Sequence, residues 1–344
     1  MKKILICGNY GAKNTGDELI LLGAKTTLKD FKISVLSEHT DEIYGLNHYP
    51  KFPAGIKSFF KFLFSKKENL EALKNTDYFL LGGGNLFGGP SVKANFIWAL
   101  QALFAIFYKK NLIMFCQSVG DNTPRIIRYL IKFVFNKADK IYLRDEISKD
   151  ILQKIGITKE IHVISDPALC IKSPENQERK NTLVALRQIS SIRPNLIKEI
   201  AIFLEGKKDI KFVNFETGKE NDEIFSMSVA EKLSTPSQSI DYTQTPTEIL
   251  NEFSKANFAL CMRLHSIICA IITDTPFIAI SYAKKIDSFL SYAGLEDLII
   301  SQKELTTEKL QEKYEYLEEN KTKIIEKMQK FKTMSLKKFN EIEF

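Results

Sequence analysis

The chain has 344 residues, 44% of them hydrophobic and 26% charged, with a formal net charge of +7 at pH 7. This length exceeds that of a usual single domain, and the composition excludes a wholly disordered chain. The positive charge indicates an acidic partner, such as a phosphorylated metabolite or an anionic membrane surface. The aromatic residues lie among aliphatic ones rather than among Lys and Arg, so we expect no nucleic acid partner.

The five cysteines are scattered without a CxxC pair, mostly in apolar runs, which is typical of a reduced, cytoplasmic protein. The most apolar segment, 94–108, is shorter than the roughly 20 residues of a transmembrane helix and predicts a buried helix instead. His39, His48 and His162 form no metal-ligand spacing with Cys, Asp or Glu, so we expect no metal.

In chain order, short apolar runs alternate with amphipathic helical patterns, which predicts βαβ units and parallel sheets. The strands predicted in the first half are 3–7, 32–36, 78–81, 112–117, 140–144 and 162–164. Helices are predicted near 16–29, 92–109, 124–137 and 145–155.

The polar stretch 171–180 is the best linker candidate, and a second α/β alternation follows it. Its predicted strands are 182–186, 210–214, 258–262 and 277–280, and its predicted helices are 194–205, 221–233, 246–255 and 264–273. We therefore expect domains at 1–172 and 173–303, and a charged helical tail at 304–344 that packs back on the first domain.

A glycine-rich stretch, CGNYGAKNTGDELIL, follows the first strand and opens a helix. Backbone N–H groups at such a turn can bind an anion, and the candidates are Gly11, Asn14, Gly16 and Asp17. The spacing matches neither GxGxxG nor GxxxxGK[ST]. A tight turn that only caps the helix explains the pattern equally well.

Two further segments place small and polar residues at the carboxyl ends of strands, where open α/β sheets bind ligands. FLLGGGNLFGGP contributes Gly83, Gly84 and Asn85, and CQSVGDN contributes Gln117. Consecutive glycines indicate that something approaches the backbone closely, either a substrate or a neighbouring element.

Arginines end a strand in each half: Arg144 in KIYLRDEIS and Arg187 in LVALRQIS. Guanidinium groups at these ends would suit a phosphate or carboxylate across an interdomain cleft. The alternative for Arg144 is a simple pair with Asp145, which would cap the next helix. Pro167 after Asp166 is expected to fix a turn.

Arg263 and His265 lie at the joint between a strand and an apolar helix in ALCMRLHSIICAII. A histidine there can simply bond a backbone carbonyl in the core. Burying an unpaired guanidinium is costly, however, and a cation at a helix N-terminus opposes the macrodipole unless an anion is present. The pattern therefore favours an anion site.

The segment 124–140 interleaves Arg125, Arg128, Lys132 and Lys137 with bulky apolar residues, and 56–67 is similar. Such a helix can lie on an anionic membrane, so one reading is peripheral contact through 124–140 at the inner face of the membrane. The pattern favours the other reading, a core-facing stripe with a solvated basic face.

Together these segments resemble the polysaccharide pyruvyl transferase family, in order, over nearly the whole chain. The matching segments are GNYGAKNTGDELIL, GGGNLF, QSVG, YLRDEISKDILQKIGI, SDPAL, VALR and MRLHSIICAIITDTPFIAISYAKKIDSFL. The family loop usually reads closer to GNxGDE, whereas here Thr15 precedes Gly16 and Lys13 adds a charge. This departure bears on the acceptor more than on the donor.

The resemblance implies two Rossmann-like domains with parallel sheets facing a cleft, similar to GT-B glycosyltransferases, with the acceptor on the N-terminal side. It implies transfer of the enolpyruvyl unit of phosphoenolpyruvate, as co-substrate and without another cofactor, onto two hydroxyls of a nucleotide- or lipid-linked saccharide in cell-surface polysaccharide synthesis. It places Arg144, Arg187, Arg263 and His265 around the donor, with Arg263 and His265 catalytic and His265 as the general acid.

Two other functions stay open at this point. One is a GT-B glycosyltransferase that uses a nucleotide sugar, for which an acidic residue of the second domain should bind ribose. The other is a non-catalytic protein that binds polyanionic glycans.

Overall fold

The computed structural model describes residues 1–37, 44–53, 67–175, 177–188, 195–216, 221–240 and 245–344. His39 and the basic stretch 56–67, except Lys67, lie outside these ranges. The chain forms two compact units, each an α/β fold on a parallel sheet, as the sequence predicts. The first comprises 1–12, 20–168 and 337–344, and the second comprises 13–19 and 169–336.

The first unit contains a seven-stranded sheet in the order β3-β2-β1-β4-β5-β6-β7, in which every pair is parallel. Its strands are β1 (Lys3–Cys7), β2 (Lys32–Ser37), β3 (Asn47–Pro50), β4 (Tyr78–Gly82), β5 (Asn111–Gln117), β6 (Lys140–Leu143) and β7 (His162–Val163). Its described helices are α1 (Thr15–Thr27), α2 (Glu68–Lys74), α3 (Val92–Phe107), α4 (Arg125–Lys137) and α5 (Glu146–Ile155). Of α1, only residues 20–27 belong to this unit.

The second unit repeats the arrangement with six parallel strands in the order β10-β9-β8-β11-β12-β13. Its strands are β8 (Asn181–Ala185), β9 (Ile210–Val213), β10 (Ser237–Ile240), β11 (Ala256–Cys261), β12 (Phe277–Ser281) and β13 (Ile299–Ser301). Its described helices are α6 (Leu196–Leu204), α7 (Asp222–Ala230), α8 (Pro246–Ser254), α9 (Leu264–Ile272), α10 (Lys284–Ala293), α11 (Thr307–Glu319) and α12 (Lys321–Asn340, through residue 336).

The central strands are apolar because helices cover both faces of each sheet. All residues of β4, β8 and β12 are buried, which explains why they read as continuous apolar runs rather than as alternating patterns. Each sheet reverses its strand order once, between β1 and β4 in the first unit and between β8 and β11 in the second. In open α/β sheets ligands bind beyond the carboxyl ends of strands at such reversals.

Three short strands were not predicted: β3, β10 and β13. All three are edge strands, and their sequences NHYP, SQSI and IIS lack the apolar run that marks a central strand. The end of the chain is helical as expected. Residues 337–344 group with the first unit, where the Glu343 carbonyl accepts a hydrogen bond from the Tyr142 hydroxyl at 2.9 Å.

Candidate functional site

Arg263 lies at the carboxyl edge of the second sheet, just beyond the strand reversal. It follows β11, whose last residue pairs with Ala185 of β8, and it is the residue immediately before α9. Its guanidinium is buried and bonded to two carboxylates. Nε and Nη2 donate to Asp222 at 2.9 and 2.5 Å, and Nη1 donates to Glu216 at 2.9 Å. The negative charge that the sequence predicts beside this arginine is therefore supplied by two carboxylates of the chain itself.

Asp222 joins the loops at the ends of three adjacent strands. Besides Arg263, its carboxylate accepts the backbone N–H groups of Phe215 and Glu216 at 3.2 and 3.1 Å, and that of Gln188. Burial raises the pKa of the Asp222 carboxyl, and Arg263 opposes that shift. Burial also acts to lower the pKa of Arg263, but Asp222 and Glu216 raise it overall, so the guanidinium stays charged.

The glycine-rich loop reaches the same cluster within the second unit. The Thr15 N–H donates to the Phe215 carbonyl at 2.9 Å, and the Asn14 amide donates to Glu216 at 3.4 Å. The Asn14 side-chain oxygen accepts the N–H groups of Gly16 and Asp17 at 2.9 and 3.3 Å, so Asn14 caps α1 as the alternative reading of this loop expects. Its role toward an anion or acceptor stays a prediction.

Gly16 packs directly against the ring of His265. A Cβ added at Gly16 would lie 2.2 Å from the His265 Nδ1 atom, so only glycine fits while the ring keeps its place. His265 is the second residue of α9 and is partly exposed. The structure thus brings together the loop glycine and the histidine that the sequence identified separately.

Arg187 follows β8, the other strand at the reversal, and is partly exposed. Its Nη1 donates to the Tyr282 hydroxyl at 2.5 Å, and its guanidinium carbon lies 4.8 Å from the centre of the Tyr282 ring. Tyr282 comes directly after β12. The ring and the hydroxyl together fix the direction of the Arg187 side chain.

Arg144 has a comparable setting in the first unit. Its Nη1 donates to Asp166 at 2.8 Å, and its Nε and Nη2 donate to the Ser118 hydroxyl at 2.9 and 2.7 Å. Asp145 caps α5, as expected, but it reaches Arg144 only through Ser118, which donates to it at 2.5 Å. The alternative reading, a simple pair of Arg144 with Asp145, is therefore wrong about the partner, because the ion pair is made by Asp166.

Gly82 and Gly83 of the first unit serve close packing. A Cβ on Gly82 would lie 1.7 Å from the Phe115 carbonyl oxygen of the neighbouring strand, and one on Gly83 would lie 2.7 Å from the Tyr10 hydroxyl. Gly11, Gly83 and Gly84 adopt positive φ angles that favour glycine. At Gly82 and Gly83, the element that approaches the backbone is the protein itself.

The polar residues beside these glycines also contact the backbone of the first unit. The Gln117 amide donates to the Leu81 carbonyl at 3.4 Å. The Asn85 amide, oriented to satisfy its neighbours, donates to the carbonyls of Phe87 and Ser118. These contacts explain the residue types without a ligand, and contact with an acceptor stays a prediction.

Within one unit, the structure brings Arg263, His265, Gly16 and Asn14 together, with Arg187 on the neighbouring strand end. Sequence reasoning missed the partners Asp222, Glu216, Tyr282 and Asp166 as functional residues. The only available signal was that a buried arginine needs a carboxylate, and this signal does not select among 42 acidic residues.

Other parts of the described structure add no competing centre. A cavity of about 500 Å³ in the first unit is lined by Lys3, Lys32 and Thr76, near the amino ends of strands, and holds none of the predicted site residues. Among the described residues, no three His, Cys, Asp or Glu side chains group as metal ligands would. In the same ranges, no helix is long and apolar enough to cross a membrane.

Comparison with solved structures shows what fold this is. The chain is similar to the Anabaena protein Alr3699/HepE in complex with UDP-glucose (TM-score 0.61, 10% identity, covering 98% of this chain and 96% of that one). It is also similar to a glycosyltransferase from Rickettsia africae (TM-score 0.62, 15% identity, 98% and 96%) and to UGT2 of Phytolacca americana (0.57, 11%, 99% and 98%). At these identities the likeness concerns the fold alone, which is GT-B-like.

Comparison of sequences gives the family. No curated protein matches the chain. The model of a family described as polysaccharide pyruvyl transferase matches residues 14–284, a range that begins at the helix-capping Asn14 and includes Arg144, Arg187, Arg263 and His265. The chain therefore belongs to the polysaccharide pyruvyl transferase family.

Proposed function

We propose that the protein transfers the enolpyruvyl group of phosphoenolpyruvate to two hydroxyls of a saccharide and forms a cyclic pyruvate ketal. The observation that carries the proposal is the setting of Arg187, Arg263 and His265. The two arginines follow the strands on either side of the reversal in the second sheet, and the histidine is the second residue of the helix that starts directly after Arg263. Ligands of open α/β sheets bind at this position.

The donor has a phosphate and a carboxylate on a small frame, and guanidinium groups bind both by paired hydrogen bonds. Arg187 is the donor ligand that we favour in the second unit, because Tyr282 holds its side chain at the partly exposed rim. Arg263 is buried between Asp222 and Glu216, which supports a role in holding the site rigid beside the donor. A donor role for Arg144 remains part of the proposal.

His265 is the proposed general acid. Its proton adds to the methylene carbon of the donor, which becomes a methyl group, and C2 takes on positive charge. One saccharide hydroxyl attacks C2, and the C2–O bond to phosphate then breaks. The second hydroxyl then attacks C2 and closes the ring. Of the two protons that the hydroxyls release, one restores His265 and the other leaves with phosphate. The Gly16 backbone beneath the ring fixes the direction from which the proton comes.

The acceptor is proposed to be a nucleotide- or lipid-linked saccharide that is used for cell-surface polysaccharide on the cytoplasmic side of the membrane. The five cysteines are free and buried, which supports a reducing compartment. A nucleotide-sugar donor is less well supported, because the acids Asp222 and Glu216 at the rim of the second unit are engaged by Arg263.

Phosphate release from phosphoenolpyruvate in the presence of candidate saccharides tests this function. We expect His265→Asn to lower kcat about 100-fold or more, and Arg187→Ala to raise the KM for phosphoenolpyruvate about tenfold. His162→Asn, an exposed histidine of the first unit, is the matched control and should leave both constants unchanged. Turnover of UDP- or CMP-sugars without use of phosphoenolpyruvate would favour a glycosyltransferase, and glycan binding unaffected by His265→Asn without turnover would favour a binding protein.

A further inference from the structure

Helix α4 carries apolar side chains on two opposite faces. Its inner face is formed by Ile127, Ile131, Val134 and Phe135, all of them buried in the first unit. Its outer face carries Ile126, Tyr129 and Phe133, which are 73%, 78% and 47% exposed. These three positions fall within about 60° of the helix circumference, so they form one stripe. The core-facing stripe and the solvated basic face of the sequence alternative are both present, and the outer apolar stripe is additional to them.

Basic residues lie beside this exposed stripe. Arg125, Arg128 and Lys132 are exposed along one side of it, and Lys137 is exposed at the end of the helix. The helix contains no acidic residue. We call the set Arg125, Ile126, Arg128, Tyr129, Lys132 and Phe133 the basic-aromatic face.

The start of α4 is also basic and has no capping side chain. Pro124 at its N-cap makes no side-chain capping bond, and its first turn has Arg125 and Arg128 where an acid would be favourable. The Arg128 Nε donates to the Thr123 carbonyl at 3.0 Å and so lies near the helix start. Cations at this end oppose the helix dipole, and an external anion would remove that cost.

The neighbouring helix also exposes apolar side chains. α3 packs against α4, and its exposed residues Val92, Phe96 and Phe107 share one face of α3. Exposed Ile, Phe and Tyr side chains beside Arg and Lys are typical of surfaces that insert into the interface of an anionic bilayer.

We propose that the basic-aromatic face docks the protein on an anionic lipid bilayer, with the arginines at the headgroups and the apolar stripe below them. Charge decides between a bilayer and a second copy of the chain. A symmetric dimer through this face would bring the same basic residues together, and a helix without acids offers them no counter-charge. The inference does not depend on the reaction that the protein catalyses.

Co-sedimentation of the full chain with vesicles tests the proposal. We expect binding to phosphatidylcholine vesicles that contain about one-third phosphatidylglycerol, weaker binding at high salt, and little binding to pure phosphatidylcholine. Ile126→Ser/Tyr129→Ser/Phe133→Ser should reduce the bound fraction about tenfold or more. Arg125→Gln/Lys137→Gln should reduce both binding and its salt dependence.

The matched control is Ile202→Ser/Ile224→Ser/Met227→Ser in the second unit, where the three side chains are 50%, 56% and 52% exposed but α7 begins with acidic residues. It should bind vesicles as the wild type does. Equal binding to neutral and anionic vesicles, full binding by the first triple variant, or self-association without vesicle binding would each overturn the proposal. Turnover of a water-soluble acceptor should be unchanged in the first triple variant, so failure of lipid binding and failure of the proposed reaction are distinguishable.

Discussion

Arg144 and Arg263 occupy different places in their sheets, because Arg144 follows β6, two strands from the reversal of the first sheet, whereas Arg263 follows β11, at the reversal of the second. Their surroundings also differ in sequence range. Each follows a strand, is buried, and is paired with a fully buried aspartate. Arg144 is fixed by Ser118 and Asp166, no more than 26 residues away. The acids that bind Arg263, Asp222 and Glu216, lie 41 and 47 residues away in the sequence. Asn14, in the glycine-rich loop that contacts this cluster, lies 202 residues from Glu216.

The contacts of Arg144 are thus local in the sequence, whereas those of Arg263 bring distant parts of the chain together. Around Arg144, the contacts join the ends of three consecutive strands, β5, β6 and β7, and the start of α5, which are all close together in the sequence. Around Arg263, four distant segments meet at one edge of the sheet, and a histidine and a helix start meet with them. Convergence of this kind costs chain entropy, and it is at such sites that we expect chemistry.

The largest expected effect comes from removing the aspartates one at a time. Asp222→Asn should lower the free energy of unfolding by about 3–5 kcal/mol, because it leaves the buried donors of Arg263 and three backbone N–H groups facing an amide. Asp166→Asn should also be costly, since Arg144 then keeps the Ser118 hydroxyl but loses its carboxylate. Urea unfolding measures both.

Hydrogen exchange at Thr15 distinguishes the two variants. The Thr15 N–H donates to the Phe215 carbonyl, and Asp222 holds the backbone of Phe215. We expect Asp222→Asn to speed Thr15 exchange, and Asp166→Asn to leave it unchanged under native conditions. Equal exchange in both variants would contradict the convergence described above.

A smaller effect is expected from Gly16→Ala. The new methyl group would overlap the His265 ring, at a cost of about 1–3 kcal/mol in stability. The double variant Gly16→Ala/His265→Ala should recover much of this loss, because the ring is then absent. Gly89→Ala is the control, since a Cβ at Gly89 meets no atom within 4 Å. Additive losses in the double variant would show that the two residues do not compete for the same space.

The smallest effect concerns cysteine reactivity, with one cysteine compared in each unit. Burial raises the pKa of Cys7 and of Cys261 to about 12. At pH 8 only about one thiol in 10,000 would be ionised, and this fraction grows as pH rises toward the pKa, so iodoacetamide should label native protein very slowly. Asp222→Asn should speed labelling of Cys261, which lies two residues before Arg263, but not of Cys7. Mass spectrometry reads both sites, and equal acceleration would indicate global unfolding instead.

The sequence predicted the central strands well because burial on both faces makes them continuous apolar runs, as in β4 and β12. The edge strands β3, β10 and β13 were missed because their short sequences carry no such run. Strand-end arginines and the RLH histidine were recognised from local pattern. Their partners Asp166, Asp222 and Tyr282 were not, because nothing local distinguishes an acid or tyrosine that meets a distant arginine from one that faces water.

The pairing of Asn14 and Thr15 with Glu216 and Phe215 also matters for the order in which the chain can fold during synthesis. The strands of the first sheet can pair with one another as they leave the ribosome, since they all lie before residue 164. Residues 13–19, although made among the first, must wait for residues 215, 216 and 265 before their contacts exist. A fragment that begins at residue 169 would lack these contacts altogether. The second unit can therefore form all its native contacts only when residues 13–19 are also present.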